Sequence, residues 1–131
     1  MLSKSVNLTE TGGIVTVFAS AARTATESSP DFHNADGYRG LVLIIDATAS
    51  AATPSVVFTL QGYSGLGSDY YTILASAAVT GAATSALRVY PALTAAANLV
   101  ANDVLPPVWR VTATAGDADS LTYSVNALLL R

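Results

Sequence analysis

Apolar and polar residues alternate along much of this chain, and most regularly near its end. In Trp109-Arg-Val-Thr-Ala-Thr-Ala115, Trp109, Val111, Ala113 and Ala115 share one face, opposite Arg110, Thr112 and Thr114. After Gly116-Asp-Ala-Asp-Ser120 the pattern resumes, with Leu121, Tyr123, Val125, Ala127 and Leu129 opposite Thr122, Ser124 and Asn126. A period of two lets a strand bury one side and wet the other. Two such runs around a cluster of turn-forming residues predict a terminal β-hairpin.

Further strands are expected upstream. Ile14 to Ala19 is apolar on most of both faces. Leu41-Val-Leu-Ile-Ile45 is continuously apolar and β-branched, as in a strand covered on both faces, in the middle of a sheet or at an interface. In Val56 to Tyr63, Val56, Phe58 and Leu60 point one way and Val57, Thr59 and Gln61 the other. Gly62-Tyr-Ser-Gly-Leu-Gly-Ser-Asp69 reads as a hairpin loop into a strand over Tyr70 to Ala75. Ala86 to Tyr90 is a short strand that stops at Pro91.

Between these lie less regular segments. Arg23 to Tyr38 carries the turn chemistry of Ser-Ser-Pro-Asp and Asn-Ala-Asp-Gly and reads as a loop. Thr80, Gly81 and Thr84 break any apolar stripe in Ala77 to Ser85, which suits a strand edge or loop. Leu93, Ala96, Ala97 and Val100 sit at helical spacing, so Ala92 to Val104 could hold a short helical turn. Leu105-Pro-Pro107 then requires extended backbone. Residues Met1 to Gly13 are mostly polar and read as an N-terminal arm, with the domain over 14–131. The expectation is an all-β, single-domain antiparallel β-sandwich or jelly-roll-like fold of about seven to eight strands, with turns at intervals of roughly ten residues.

A chain of 131 residues is long enough to bury a core without staples. It has no cysteine, which excludes disulfides and thiolate metal sites. Only 11% of the residues are charged, well below the roughly 25% usual in soluble domains. So uncharged a surface fits either assembly or a neutral Thr/Ser-rich β surface with no special partner. The net charge is −3 and the six bases are scattered, which argues against nucleic acid. No apolar stretch is long enough to span a bilayer as a helix, and the N-terminus lacks the apolar core of a signal peptide.

The residues that could carry chemistry all have a plainer reading. Asp31, His33 and Asp36 could hold a metal, or form an ordinary capped turn. Gly62-Tyr-Ser64-Gly-Leu66 approaches a nucleophile elbow but has leucine where glycine is needed. Asp117 and Asp119 resemble the start of a calcium loop without its distal glutamate, and suit a solvated turn bonded to local amides. Tyr63, Tyr70, Tyr71 and Trp109 could form a stacking platform for a sugar, although alternation places Trp109 in the core. The chain therefore reads as a protein without catalysis, cofactor or metal.

The order Asp36-Gly-Tyr-Arg-Gly-Leu-Val-Leu-Ile-Ile-Asp-Ala-Thr-Ala49, Pro54-Ser-Val-Val-Phe-Thr-Leu-Gln-Gly62 and Tyr70-Tyr-Thr-Ile-Leu74 resembles a group of small structural proteins of tailed bacteriophages. The segments Leu87-Arg-Val-Tyr-Pro91, Ala101-Asn-Asp-Val-Leu-Pro106, Trp109-Arg-Val-Thr112 and Ala118-Asp-Ser-Leu-Thr-Tyr-Ser-Val125 continue it. The resemblance implies a virion protein made in the host cytoplasm. Its role would be a capsid decoration (cement) protein that binds and stabilises the head, with the major capsid protein or another virion protein as partner. Its alternatives are a neck or tail accessory protein, or a carbohydrate-binding β-sandwich module in host adsorption.

A docking protein of this kind needs apolar surface. Leu128 and Leu130 interrupt the polar face of the last strand. With Leu2, Val6 and Leu8 of the arm they are the expected interface residues, and a homo-oligomer would repeat that surface by symmetry.

Overall fold

The computed structural model describes the backbone of residues 5–7 and all of residues 13–131. Their strands are β1 (Ser5–Asn7), β2 (Ile14–Arg23), β3 (Glu27–Ser28), β4 (Asp31–His33), β5 (Gly40–Ser50), β6 (Val56–Tyr63), β7 (Tyr70–Ala75), β8 (Ala83–Val89), β9 (Val100–Ala101), β10 (Val108–Ala115) and β11 (Leu121–Leu130). No helix occurs among the described residues.

The strands form two sheets. In the first, sheet A, the order is β1-β4-β10-β6-β7, with β3 also pairing β10; in the second, sheet B, it is β2-β11-β5-β8-β9. Except for the short parallel pairs β1–β4 and β8–β9, the pairings are antiparallel. Leaving aside the short β1, β3 and β9, each sheet has four strands. The order of those eight and the crossings between layers give a jelly roll, an architecture that closes two Greek keys around one core. Seven of these eight are read from the sequence; β4, like β1, β3 and β9, escapes it because two or three residues carry no periodicity.

The inward faces are those that alternation indicates. Trp109, Val111 and Ala113 from one sheet meet Leu121, Tyr123 and Val125 from the other, none more than 1% exposed. In sheet A, Phe32, Trp109, Gly62 and Tyr71 form one cross-strand row. Phe32 and Trp109 stack with ring centroids 4.6 Å apart. Tyr123 makes edge contacts with Phe18 of its own sheet at 5.8 Å and, across the core, with Phe58 at 4.9 Å. Such edge contacts match the positive rim of one ring to the negative face of the other.

Several sequence expectations change. The terminal runs do not form a hairpin: β10 lies in sheet A and β11 in sheet B, and Gly116–Ser120 carries the chain between layers. The segment from Arg23 to Tyr38 contains β3 and β4, held by pairing with β10. The strand ending before Tyr90 starts at Ala83. Ala92–Val104 forms no helix; it turns, with Val100 N donating to Ala96 O at 2.9 Å, and supplies β9. The central strand β5 is buried on one face only, because Val42 and Ile44 remain partly exposed. In contrast, the β6–β7 hairpin forms as read.

Between β2 and β11 the register shifts at Tyr123–Val125 and Val125–Asn126. Bulges of this kind leave ladder groups unpaired. Arg23 meets that need: it donates to Ala19 O at 2.7 Å and to Tyr123 O at 3.0 Å, and its guanidinium lies 4.5 Å from the Tyr123 ring centre. It also pairs with Glu27.

The Tyr123 hydroxyl is buried without a hydrogen-bond partner among the described residues. Burial pushes it up to about 12 from an ordinary 10.0. The folded state thus favours the neutral phenol. The resulting stability is complete below the unfolded value and is lost as pH rises through the folded one. Tyr123→Phe breaks no hydrogen bond, so it is expected to leave stability at neutral pH unchanged or raised by up to about 1 kcal/mol. It should also flatten the fall in stability between pH 10.0 and about 12. Urea denaturation of both proteins across that range checks the two outcomes together.

Candidate interaction surfaces

The two outer faces of the sandwich differ in chemistry. On sheet A, the outward positions of β3, β4, β6, β7 and β10 gather Ser28, Asp31, Gln61, Tyr63, Tyr70, Arg110 and Thr112. These side chains satisfy one another. Arg110 Nε and Thr112 Oγ1 donate to Gln61 Oε1 at 2.8 and 3.0 Å, and the hydroxyls of Ser28 and Thr112 are 3.0 Å apart. Tyr70 donates its hydroxyl to the Asp31 carboxylate, 2.9 and 3.0 Å from the two oxygens. Arg110 covers the Tyr70 ring at 3.5 Å.

Asp31 is only 2% exposed. A carboxylate so deeply placed needs hydrogen bonds, and the Tyr70 hydroxyl, whose ring Arg110 covers, supplies them. The same contact has a consequence for Tyr70. Burial first, and the Asp31 hydrogen bond second, raise its pKa above 10.0. Tyr70→Phe removes a donor from the buried carboxylate and is expected to cost about 1–3 kcal/mol in denaturant unfolding. Asp31→Asn combined with Tyr70→Phe should cost less than the sum of the single changes, because no buried charge is then left without its donor.

The aromatic platform does not assemble. The Tyr63 and Tyr70 rings are tilted by 52° with centroids 5.4 Å apart. Tyr63 is tied to its own loop by a 2.8 Å bond to Gly67 O. Tyr71 lies on the opposite face, its ring across Gly62, and Trp109 is in the core.

The other candidates also find structural roles. Asp31 is taken by Tyr70, and Asp36 lies 3.9 Å from Arg131. Among the described residues no three His, Cys, Asp or Glu side chains are grouped to hold a metal ion. Ser64 Oγ accepts from Leu66 N at 3.1 Å inside the β6–β7 turn. Asp117 Oδ1 accepts from Asp119 N at 3.0 Å, and Asp119 Oδ2 accepts from Thr53 N at 3.1 Å. That turn is pinned to the β5–β6 loop and binds local amides.

Sheet B presents a different outer face. The register places Ile14, Leu128, Val42 and Arg88 in one row across four strands. Ile44 and Ala86 sit one step along it, and Leu130 flanks Gly40. Ile14 is 59% exposed and Leu128 37%. Beside this row a groove of about 400 Å³ is walled by Val42, Arg88, Tyr90, Leu93, Leu130 and Arg131.

Leu128 and Leu130 of the expected interface therefore lie together on this apolar end. Leu2 and Leu8 fall outside the described residues; Val6 lies on β1, of which only the backbone is described, paired with Phe32. Sequence reading missed Ile14, Val42, Ile44, Arg88 and Leu93. A signal is present in the second apolar phase of Leu41–Ile45, which suits either the middle of a sheet or an interface. No helix among the described residues is long and apolar enough to cross a membrane.

No family model, curated protein or solved structure matches this chain.

Proposed function

We propose that this protein is a structural component of a tailed-bacteriophage virion, a decoration protein that docks on the capsid surface and stabilises the head. The observation that carries the reading is the apolar end of sheet B's outer face. Ile14, Val42, Leu128 and Leu130 gather there on a chain with few charges. Contiguous exposed apolar surface of this kind marks contact with another macromolecule. The sequence resemblance to phage structural proteins supplies the class of partner, and the cysteine-free jelly roll supplies a stiff body for it. The fold alone does not, because jelly rolls serve many roles. A cyclic homo-oligomer would present several copies of the patch at once and raise avidity.

Electron microscopy of particles with and without the protein tests the reading. Added density repeating over the head lattice is the expected result. Density at the portal vertex alone would replace decoration by a neck role, and no density would remove the virion assignment. Leu128→Asp sharpens the test, since the side chain is 37% exposed. Stability should change by no more than about 0.5 kcal/mol, whereas particle binding should fall by at least tenfold in co-sedimentation.

A further inference from the structure

We propose that the groove on sheet B takes an extended polypeptide segment from a different chain, one that carries a leucine-sized apolar side chain next to a carboxylate. The inference rests on the docking role proposed above and assigns the chemistry of its partner.

Shape and polarity identify the apolar part. The groove lies between the ends of β8 and β11, where Gly40 provides no side chain. Its walls include Val42, Leu93 and Leu130. A volume of about 400 Å³ is at the scale of sites that accept a few apolar groups. Tyr90 forms one side and is fixed there, because its hydroxyl donates to Arg131 O.

Charge identifies the rest. The chain carries −3 overall, yet the groove is walled by Arg88 and Arg131 and by no acid. A third base, Arg39, lies 5.4 Å from the Tyr90 ring. Arg88 is exposed and forms no ion pair among the described residues. Arg131 lies 3.9 Å from Asp36 and 4.7 Å from the Tyr38 ring centre, and its side chain is 70% exposed. Two forked donors thus flank an apolar slot, which suits carboxylates on either side of a buried aliphatic group.

A second copy of this chain fits less well. A two-fold pairing centred on the groove sets each patch against its own duplicate. Arg88 and Arg131 would then face like charges, which opposes association.

The test uses the whole protein and two short peptides, acetyl-Asp-Leu-Leu-Asp-amide and acetyl-Lys-Leu-Leu-Lys-amide, followed by amide shifts in NMR titrations. The acidic peptide should perturb amides of Val42, Arg88 to Leu93 and Leu128 to Arg131, and bind at least tenfold more tightly than the basic one. Arg88→Glu should reverse that preference, and Arg88→Gln should weaken it if the charge reversal disturbs folding. Equal binding of both peptides, or shifts elsewhere on the surface, would overturn the proposal. So would groove shifts that grow with protein concentration alone, which would assign the groove to a second copy. Particle experiments separate this proposal from the docking role itself. Lattice density retained by the Arg88→Glu protein removes the groove as the contact and leaves decoration standing. Peptide binding without density on particles does the reverse.

Discussion

Trp109→Ala is expected to destabilise the fold by about 3–5 kcal/mol, the range for deleting a fully buried tryptophan. Trp109 is 0% exposed and stands at the centre of the row Phe32–Trp109–Gly62–Tyr71. It stacks on Phe32 at an interplanar angle of 29°. Gly62 beside it offers no side chain to collapse into the cavity. A small part of the loss is returned, because the indole nitrogen is itself buried without a hydrogen-bond partner among the described residues. Domains of this size hold about 5–15 kcal/mol in total, so much of the reserve would go. Urea denaturation should show the midpoint falling by roughly 2 M at a slope of about 2 kcal/mol/M. A shift under about 0.5 M would mean that the core closes over the gap and that the row does not organise sheet A.

Gly40→Ala is the second large effect, and it comes from crowding. A Cβ at Gly40 would lie 2.1 Å from Val89 O and 2.7 Å from Tyr90 Cδ2. The oxygen belongs to β8, which pairs with β5 directly beside it through Leu41–Val89. Relief therefore requires moving a strand, and overpacking of this kind costs about 3 kcal/mol or more. Melting should fall by roughly 10 °C. Gly62→Ala is the control. Its Cβ would meet the Tyr71 ring at 2.4 Å, but Tyr71 is 45% exposed and can swing into solvent. Its loss should be less than half that of Gly40→Ala in the same thermal scans. Equal losses would show that strand displacement is not the source of the cost at Gly40.

The candidate surface was partly legible in the chain. Leu128 and Leu130 stood out because they interrupt a polar phase, and they do face outward. Their neighbours did not stand out. Ile14 begins a strand of small apolar residues, and Val42 lies inside a run that a buried strand would also show. Arg88 looks like any polar residue between Leu87 and Val89. Only cross-strand register brings Ile14, Leu128, Val42 and Arg88 side by side. The network around Asp31 was hidden for the same reason. Asp31 and Tyr70 are 39 positions apart, and nothing local distinguishes a buried carboxylate from a solvated one.

Alternation by itself determined that the protein is all-β and which residues of the last two strands face inward. That information is local, because successive side chains on an extended backbone must point to opposite faces. Tertiary structure decided where those strands go. Gly116–Ser120 has the composition of a hairpin turn, yet it joins β10 in sheet A to β11 in sheet B. Turn residues permit the chain to reverse but do not choose between pairing within a sheet and crossing to the next. The choice rests on non-local packing: Trp109 against Phe32 on one layer, and Tyr123 against Phe18 on the other.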